Sequence, residues 1–198
     1  MKLFSEKILD PPFISVITEI MKITPVMHKF ILHWGEMGTK WGINRSVAQI
    51  HALLFIVGRP LPADVITNQL SIARSNVSAG LKELQGWGIV RVAHIMGDRR
   101  DHFEALADVW ETFRHILNER KRREADPTLR LLRECVEEAG EIKKTTAEDE
   151  TAKQRLADML EFFELANTWG ERAGAFSPKT IKRFAQMGDS IFKLVGNG

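Results

Sequence analysis

The spacing of apolar side chains predicts that most of the chain is helical. Residues 26–41 repeat large apolar side chains at intervals of three or four, which is the spacing of one helix face. That face consists of Phe30, Trp34, Met37 and Trp41. Residues 45–57 show the same period, and Asn44 is well placed to cap the start of that helix. The segment 58–62, with one glycine and two prolines, is expected to end it.

The next segment predicts two short helices followed by a β-hairpin. Residues 63–70 and 73–85 form the helices, and a glycine-containing C-cap at Gly86 and Gly88 is expected to end the second one. From residue 89 the apolar period changes from 3.6 to 2. Residues 89–95 and 101–105 therefore predict two strands. The order helix, tight turn, helix and β-hairpin is that of a winged helix-turn-helix.

The remainder of the chain predicts four more helices. The first begins at Asp108 and is expected to end before Asp126-Pro127, because a proline disfavours the helical conformation of the residue before it. The second of these helices is expected to begin at Pro127. The third is expected to begin at the threonines of Thr145-x-x-Glu148 and Thr146-x-x-Asp149 and to end near Trp169, and the fourth is expected to begin at Ser177-Pro178.

Together these elements predict a fold that is mainly α with a small β-hairpin wing. It comprises a winged helix-turn-helix domain and a helical dimerisation region. The expected domains are an N-terminal helical segment (1–43), a winged helix-turn-helix DNA-binding domain (44–107) and a helical dimerisation region (108–198).

Composition narrows the class of protein without identifying its partner. The chain has 198 residues, is 44% hydrophobic and carries a formal charge of +2, which excludes a disordered tail or a polycationic coat protein. Its single cysteine excludes an internal disulfide framework. No apolar run is long enough to span a bilayer, and residues 1–6 do not resemble a signal peptide. We therefore expect a cytoplasmic protein without a membrane segment.

The position of the basic residues suggests a nucleic-acid interface. In a helix-turn-helix the N-terminal end of the second helix meets base edges in the major groove, where arginine pairs with guanine and asparagine with adenine. Here that helix carries Arg74, Ser75, Asn76, Ser78 and Lys82. No acidic residue lies between Asp64 and Glu83. Arg99 and Arg100 at the hairpin tip, and Arg45 and Ser46 at a helix start, are candidates for further DNA contacts. The alternative is an ordinary solvated helix face beside a polar turn.

Residues 70–84 resemble the recognition-helix block of MarR-like regulators, and the resemblance extends to Trp87-Gly88-Ile89-Val90 and to residues 97–103. Several features resemble the branch typified by the glycine-betaine synthesis repressor. They are Gly42-x-x-Arg45-Ser46, Asp108-x-Trp110, residues 119–124, Asp126-Pro127 and residues 160–164. The resemblance covers about residues 26–170. It implies a transcriptional regulator, usually a repressor, that binds a palindromic DNA operator as a homodimer. One departure is Ala73, which occupies a helix N-cap position where the family usually has serine or threonine.

The apolar faces beyond Asp108 independently favour a homodimer, because one small winged domain cannot cover them. The alternative to a homodimer is that these helices pack against one another within one chain, as a separate bundle. A second alternative concerns function: a winged-helix module that binds protein and not DNA.

The remaining candidate residues concern effector binding and catalysis. Aromatic faces bind quaternary ammonium groups, which some members of this branch are thought to sense, although aromatic residues at helical spacing are more often core. The candidates are Trp34, Trp41, Trp110 and Phe113, with Trp169. Phosphate-loop, dinucleotide and serine-hydrolase motifs are absent from the sequence, and the six histidines lack zinc-site spacing. We therefore expect no enzyme activity, no metal and no cofactor.

Overall fold

The computed structural model describes residues 23–142 and 146–177, together with 179, 180 and 183. The described chain is mainly helical with one small three-stranded antiparallel sheet, which confirms that part of the predicted fold class. The elements in chain order are α1 (Pro25–Lys40), α2 (Arg45–Val57), β1 (Leu61–Pro62), α3 (Ala63–Leu70), α4 (Arg74–Gly86), β2 (Val90–Ala93), β3 (His102–Ala105), α5 (Val109–Arg120), a π-helix (Lys121–Ala125), α6 (Asp126–Glu141) and α7 (Ala147–Ala175).

Side-chain caps fix the start of four helices. Thr24 and Asn44 accept hydrogen bonds from the N–H groups of Met27 and Ser46, at 3.3 and 2.8 Å. Asp108 accepts from two N–H groups in the first turn of α5. At the start of α7, Thr146 and Asp149 cap each other reciprocally, and the Thr146 N–H lowers the pKa of Asp149. These caps agree with the predicted helix starts. Thr145 lies outside the described residues.

The described chain divides into two units, the first formed by residues from 23 to 82 and 92–104 and the second by residues 83–91 and from 105 onward. The core of the first unit is apolar and well packed. Ile50, Leu53, Leu54, Ile66 and Val77 are almost completely buried there. Helix α1 packs closely on α2, since a Cβ added at Gly38 would lie only 2.5 Å from the Cβ of Ala48.

The sheet contains a strand that the sequence does not predict. β3 lies between β1 and β2, and β1 pairs antiparallel with β3 through Leu61 opposite Phe103 and Pro62 opposite His102. β1 is only two residues long and was expected to be part of a helix-breaking segment. Because β1 is an edge strand, Pro62 costs the ladder no interior hydrogen bond.

The second unit corrects the predicted helix break at Asp126-Pro127. The backbone stays helical from α5 into α6 through the π-helix, in which the Asp126 N–H donates to the carbonyl of Lys121, five residues earlier. Pro127 has no N–H to donate, and its ring would clash with the carbonyl four residues earlier in a regular α-helix. The wider π turn accommodates the proline without ending the helix.

Helix α7 is also longer than predicted, since it continues past Trp169 to Ala175. It packs against α6, and an ion pair of 2.8 Å joins Arg133 to Glu164 between them. Ser177 accepts a hydrogen bond from the Thr180 N–H, as a helix cap would. Residues 179, 180 and 183 are helical, and the remainder of the predicted last helix, like residues 1–22, lies outside the described residues. Within the described residues no helix has both the length and the apolar composition to cross a membrane.

Candidate nucleic-acid interface

Helix α4 has one buried face and one polar, solvent-exposed face. Val77, Leu81 and Leu84 are buried, as is Gly80, where an added Cβ would lie 2.8 Å from the Ile50 side chain. The opposite face contains only small or polar side chains, all exposed: Arg74, Ser75, Asn76, Ser78, Ala79 and Lys82. Arg74, Ser78 and Lys82 follow one another at intervals of four residues and therefore lie along one line of the helix. This polar face is available to a partner.

The N-terminus of α4 has no side-chain cap from the residue that precedes it. The Ala73 carbonyl accepts the first helical hydrogen bond, from the Val77 N–H at 3.1 Å, so Ala73 occupies the N-cap position. Its methyl group cannot accept a bond from the Ser75 or Asn76 N–H. The first amides of a helix and the positive end of its dipole together attract an anion such as a phosphate.

The segment between β2 and β3 forms a tight turn at the predicted position. The Asp98 N–H donates to the Ile95 carbonyl at 3.1 Å, and Gly97 adopts a φ of +87° that a side chain would disfavour. This turn leaves Arg99 exposed to solvent and leads directly into Arg100.

The two hairpin arginines have different surroundings. The Arg100 guanidinium donates to Asp98 through Nη2 at 2.7 Å and to Asp64 through Nη1 at 2.8 Å. Its hydrogen bonds lower the pKa of Asp98 to about 2. Arg99 is exposed and has no carboxylate within 4 Å in the described part of the chain. Arg100 therefore connects the hairpin to α3, whereas the charge of Arg99 is not neutralised.

His102 is buried beneath the same turn. Its Nδ1 lies 3.0 Å from the Arg100 carbonyl and its Nε2 lies 3.4 Å from the Asp98 carboxylate. Both ring nitrogens are thus occupied within the hairpin. His94, by contrast, is exposed.

Arg45 and Ser46 lie in the first turn of α2, as predicted. The Ser46 N–H is already bonded to Asn44. The Arg45 side chain and the Ser46 hydroxyl remain to contact a partner. All nine predicted interface residues belong to the first unit. Four of their cations have no acidic partner within the described ranges: Arg45, Arg74, Lys82 and Arg99.

The residues predicted to bind an effector are divided between the two units, with Trp169 in the second. Trp34 stacks in a row of rings, 5.4 Å from Phe30 and 6.5 Å from His51. Trp41 is half exposed at the end of α1. Trp110 and Phe113 belong to α5 in the second unit. An effector site at these aromatic residues stays a prediction.

Sequence reasoning missed the acidic partners of Arg100. Asp98 precedes Arg100 by two residues in a turn, a spacing at which an aspartate commonly bonds nearby backbone, and the Arg100 N–H does bond it at 3.0 Å. That local signal was available from the sequence. Asp64 is 36 residues away along the chain, and only the fold places it beside Arg100.

Comparison with known proteins supports the fold and little beyond it. The chain is similar to a crystal structure of a transcriptional regulator, with a TM-score of 0.58 and 15% identity over 82% of this chain and 99% of that chain. No protein-family model matches the sequence, and no curated protein matches it. The chain thus has a fold that is also found in a transcriptional regulator.

Proposed function

We propose that this chain is a transcriptional regulator, a repressor that binds a palindromic DNA operator as a homodimer through a winged helix-turn-helix. The observation that carries this proposal is the exposed face of α4. It presents Arg74 and Lys82, which have no acidic partner in the part of the chain that the structure describes, and it begins at a helix end that Ala73 leaves uncapped. A fold shared with a transcriptional regulator agrees with it.

In this mechanism the residues divide into base readers and phosphate contacts. Arg74 and Asn76 lie in the first turn of α4 and present the donors and acceptors that recognise guanine and adenine in the major groove. Ser75, Ser78 and Lys82 bind phosphates and thereby fix the register of the helix on the duplex. Arg45 and Ser46 at the start of α2 are further phosphate contacts.

The hairpin acts as a wing in which the two arginines have separate tasks. Arg99 enters the minor groove or contacts a phosphate, because its charge is exposed and has no acidic partner among the described residues. Arg100 is a positioning residue, because Asp98 and Asp64 already bind its guanidinium on two sides.

A homodimer is supported by one exposed stripe on α7. Phe162, Leu165 and Trp169 are 63, 57 and 61% exposed, and their spacing places them on one side of the helix. The side that carries Leu156, Leu160 and Phe163 is half-buried. A second copy of the chain would cover the exposed stripe and give two α4 helices for the two halves of a palindrome.

Electrophoretic mobility shift with the DNA upstream of the chain's own coding region tests the proposal. At low salt we expect a retarded complex that specific competitor DNA removes and that random DNA of equal length does not. Arg74→Ala should weaken operator binding by about tenfold, the loss of one base contact. Absence of retardation at low salt would contradict DNA binding and favour the protein-interaction module.

The two hairpin variants sharpen the same experiment. Arg99→Ala should lower affinity on all sequences and reduce the slope of binding against salt by about one, with no change in thermal stability. Arg100→Ala should lower thermal stability as well, because it leaves Asp98 and Asp64 without their cation. Identical behaviour of the two variants would contradict the division of tasks.

A further inference from the structure

A cavity of about 520 Å³ lies in the second unit, between α5 with the π-helix on one side and α7 on the other. Its apolar wall includes Leu117, Phe163 and Ala166, and its polar residues include Arg114, Lys121 and Glu171. This volume is in the range of sites that bind small molecules.

The charges at the cavity do not cancel. Lys121 is paired twice, with Asp126 at 2.9 Å and with Glu171 at 3.4 Å, and the bond to Asp126 is the main cause of its raised pKa. Glu171 also accepts a hydrogen bond from Asn167 at 3.2 Å. Arg114 has no carboxylate within 4 Å among the residues that the structure describes. The charge left without a partner at this cavity is therefore positive.

We propose that this cavity binds a small amphipathic anion, a carboxylate attached to an apolar body. The carboxylate pairs with the Arg114 guanidinium, and Asn118, one turn further along α5, offers an amide for a second hydrogen bond. The apolar body packs against Leu117 and Phe163, so that its burial supplies most of the binding free energy. A cationic ligand of the same shape would instead be repelled by Arg114.

Substitution of Gly170 by a larger side chain can test whether this cavity binds a ligand. It lines the cavity from α7, and a Cβ added there would meet no atom within 4 Å. A larger side chain at position 170 would therefore occupy the ligand's space without a clash, and it would favour the helix. Gly140 on α6 has the same open surroundings. It is not among the residues that line the cavity. It is therefore a matched control position.

The wall of this cavity is connected to the end of α4 within the second unit. Lys121 and Arg123 are both residues of the π-helix. The Arg123 guanidinium lies 5.5 Å from the centre of the Trp87 ring and 3.6 Å from the Glu83 carboxylate. Arg114 and Lys121 line the same cavity, so a carboxylate bound at Arg114 also attracts Lys121 and weakens its bond to Asp126. This would disturb the turn and, through Arg123, the last residues of α4. The consequence for DNA binding rests on the proposed function; the binding of the anion does not.

Isothermal titration calorimetry of the full chain tests the site with sodium octanoate, 1-naphthoate and octylammonium chloride. We expect at least one of the two carboxylates to bind once per chain, to bind the Gly140→Leu variant equally, and to bind Gly170→Leu at least about tenfold more weakly. Arg114→Gln should weaken carboxylate binding by a similar factor and should not weaken octylammonium. Thermal melting of both glycine variants checks that they fold.

Three results would overturn the site: no binding of either carboxylate, equal binding by the wild type and Gly170→Leu, or octylammonium binding as tightly as octanoate. Fluorescence anisotropy with operator DNA then tests the coupling. The bound carboxylate should change DNA affinity by at least about threefold in the wild type and not in Gly170→Leu. Unchanged affinity would overturn the coupling alone. A chain that binds no DNA in any condition refutes the proposed function, while calorimetry still decides the cavity.

Discussion

The two units differ in how well they cover their apolar side chains. In the first, α2 buries Ile50, Leu53 and Leu54 almost completely. In the second, Leu84, Ile89 and Val90 are buried near its start, but among the described residues after position 105 Leu129 is the one large apolar side chain that is less than 5% exposed. The first unit has a core of its own, whereas α7 of the second leaves Phe162 and Trp169 mostly in water. A surface of that kind is typical of an interface.

DNA binding and dimerisation, the two parts of the proposed function, make different demands on the two units. The interface for DNA needs a rigid scaffold, because base-reading side chains must be held in register. The first unit provides it by packing α4 through Val77, Gly80 and Leu81 against its core. The second unit needs a partner, and each large apolar side chain that a partner buries adds about 1.5–3 kcal/mol.

The largest expected effect is that of a charge placed in the exposed stripe of α7. Trp169→Glu should raise the dimer dissociation constant by about a hundredfold, because the carboxylate loses its water in the interface. Light scattering after size-exclusion chromatography should then give twice the chain mass of 22.5 kDa for the wild type and a single mass for the variant. Val26→Glu, at an exposed position of α1, is the control and should stay dimeric. A wild type that is monomeric at micromolar concentration would contradict the homodimer.

The next effect tests the core of the first unit through pH. His51 is buried, its Nε2 has no hydrogen-bond partner in the described chain, and burial lowers its pKa to about 4. The unfolded chain therefore binds a proton below about pH 6.5 that the folded chain resists down to about pH 4. The contribution of His51 to the free energy of unfolding is complete above pH 6.5. It falls as the pH is lowered, and by pH 4 about 3 kcal/mol is lost.

Urea denaturation of the wild type and His51→Phe measures this loss. Phenylalanine keeps a ring between Trp34 and Phe55 and has no proton to bind, so the free energy of unfolding of the variant should depend less on pH between 7 and 4. Both proteins are compared at one concentration, since unfolding of a dimer depends on it. Parallel pH curves for the two proteins would show that His51 is not responsible.

A smaller effect concerns the close contact of α1 with α2. Gly38→Ala should lower the free energy of unfolding by about 1–2 kcal/mol, because the new methyl would lie 2.5 Å from the Ala48 Cβ and neither group can move away easily. Gly35→Ala is the matched control on the same helix. Its methyl would lie 2.6 Å from the Gln49 Cγ, but that flexible side chain can rotate away, and alanine favours the helix. Equal destabilisation in urea would show that the two contacts are equally rigid.

Features set by neighbouring residues could be predicted from the sequence. The bounds of α2 and α3 agree with the predicted ranges 45–57 and 63–70, because apolar period, caps and breakers are all local. The C-cap at Gly88 is another example: its φ of +73° and the bond from the Ile89 N–H to the Leu84 carbonyl form the expected left-handed helix end.

Features that depend on distant residues or on competing local solutions could not be predicted. Strand β1 is too short to show a period and exists because β3 lies beside it. Pro127 was predicted to end the helix before Asp126, and this prediction is wrong because a π turn accommodates the proline. For the candidate site, residue types predicted which side chains are exposed on α4. They did not predict that Asp64 would bind Arg100, while Arg99 has no carboxylate within 4 Å among the residues that the structure describes.

The smallest expected effect distinguishes stability from DNA binding at a single position, Ala73. Ala73→Ser and Ala73→Asp both add a side-chain oxygen that can cap α4, so each should raise the free energy of unfolding by about 1 kcal/mol. Only aspartate also places a negative charge where the proposed mechanism places a phosphate. Ala73→Asp should therefore weaken operator binding by about tenfold while Ala73→Ser leaves it nearly unchanged, as fluorescence anisotropy can measure. Because the two variants have matched stability, a loss of affinity in Ala73→Asp alone must come from charge at the start of α4, and equal affinities would place the phosphates elsewhere.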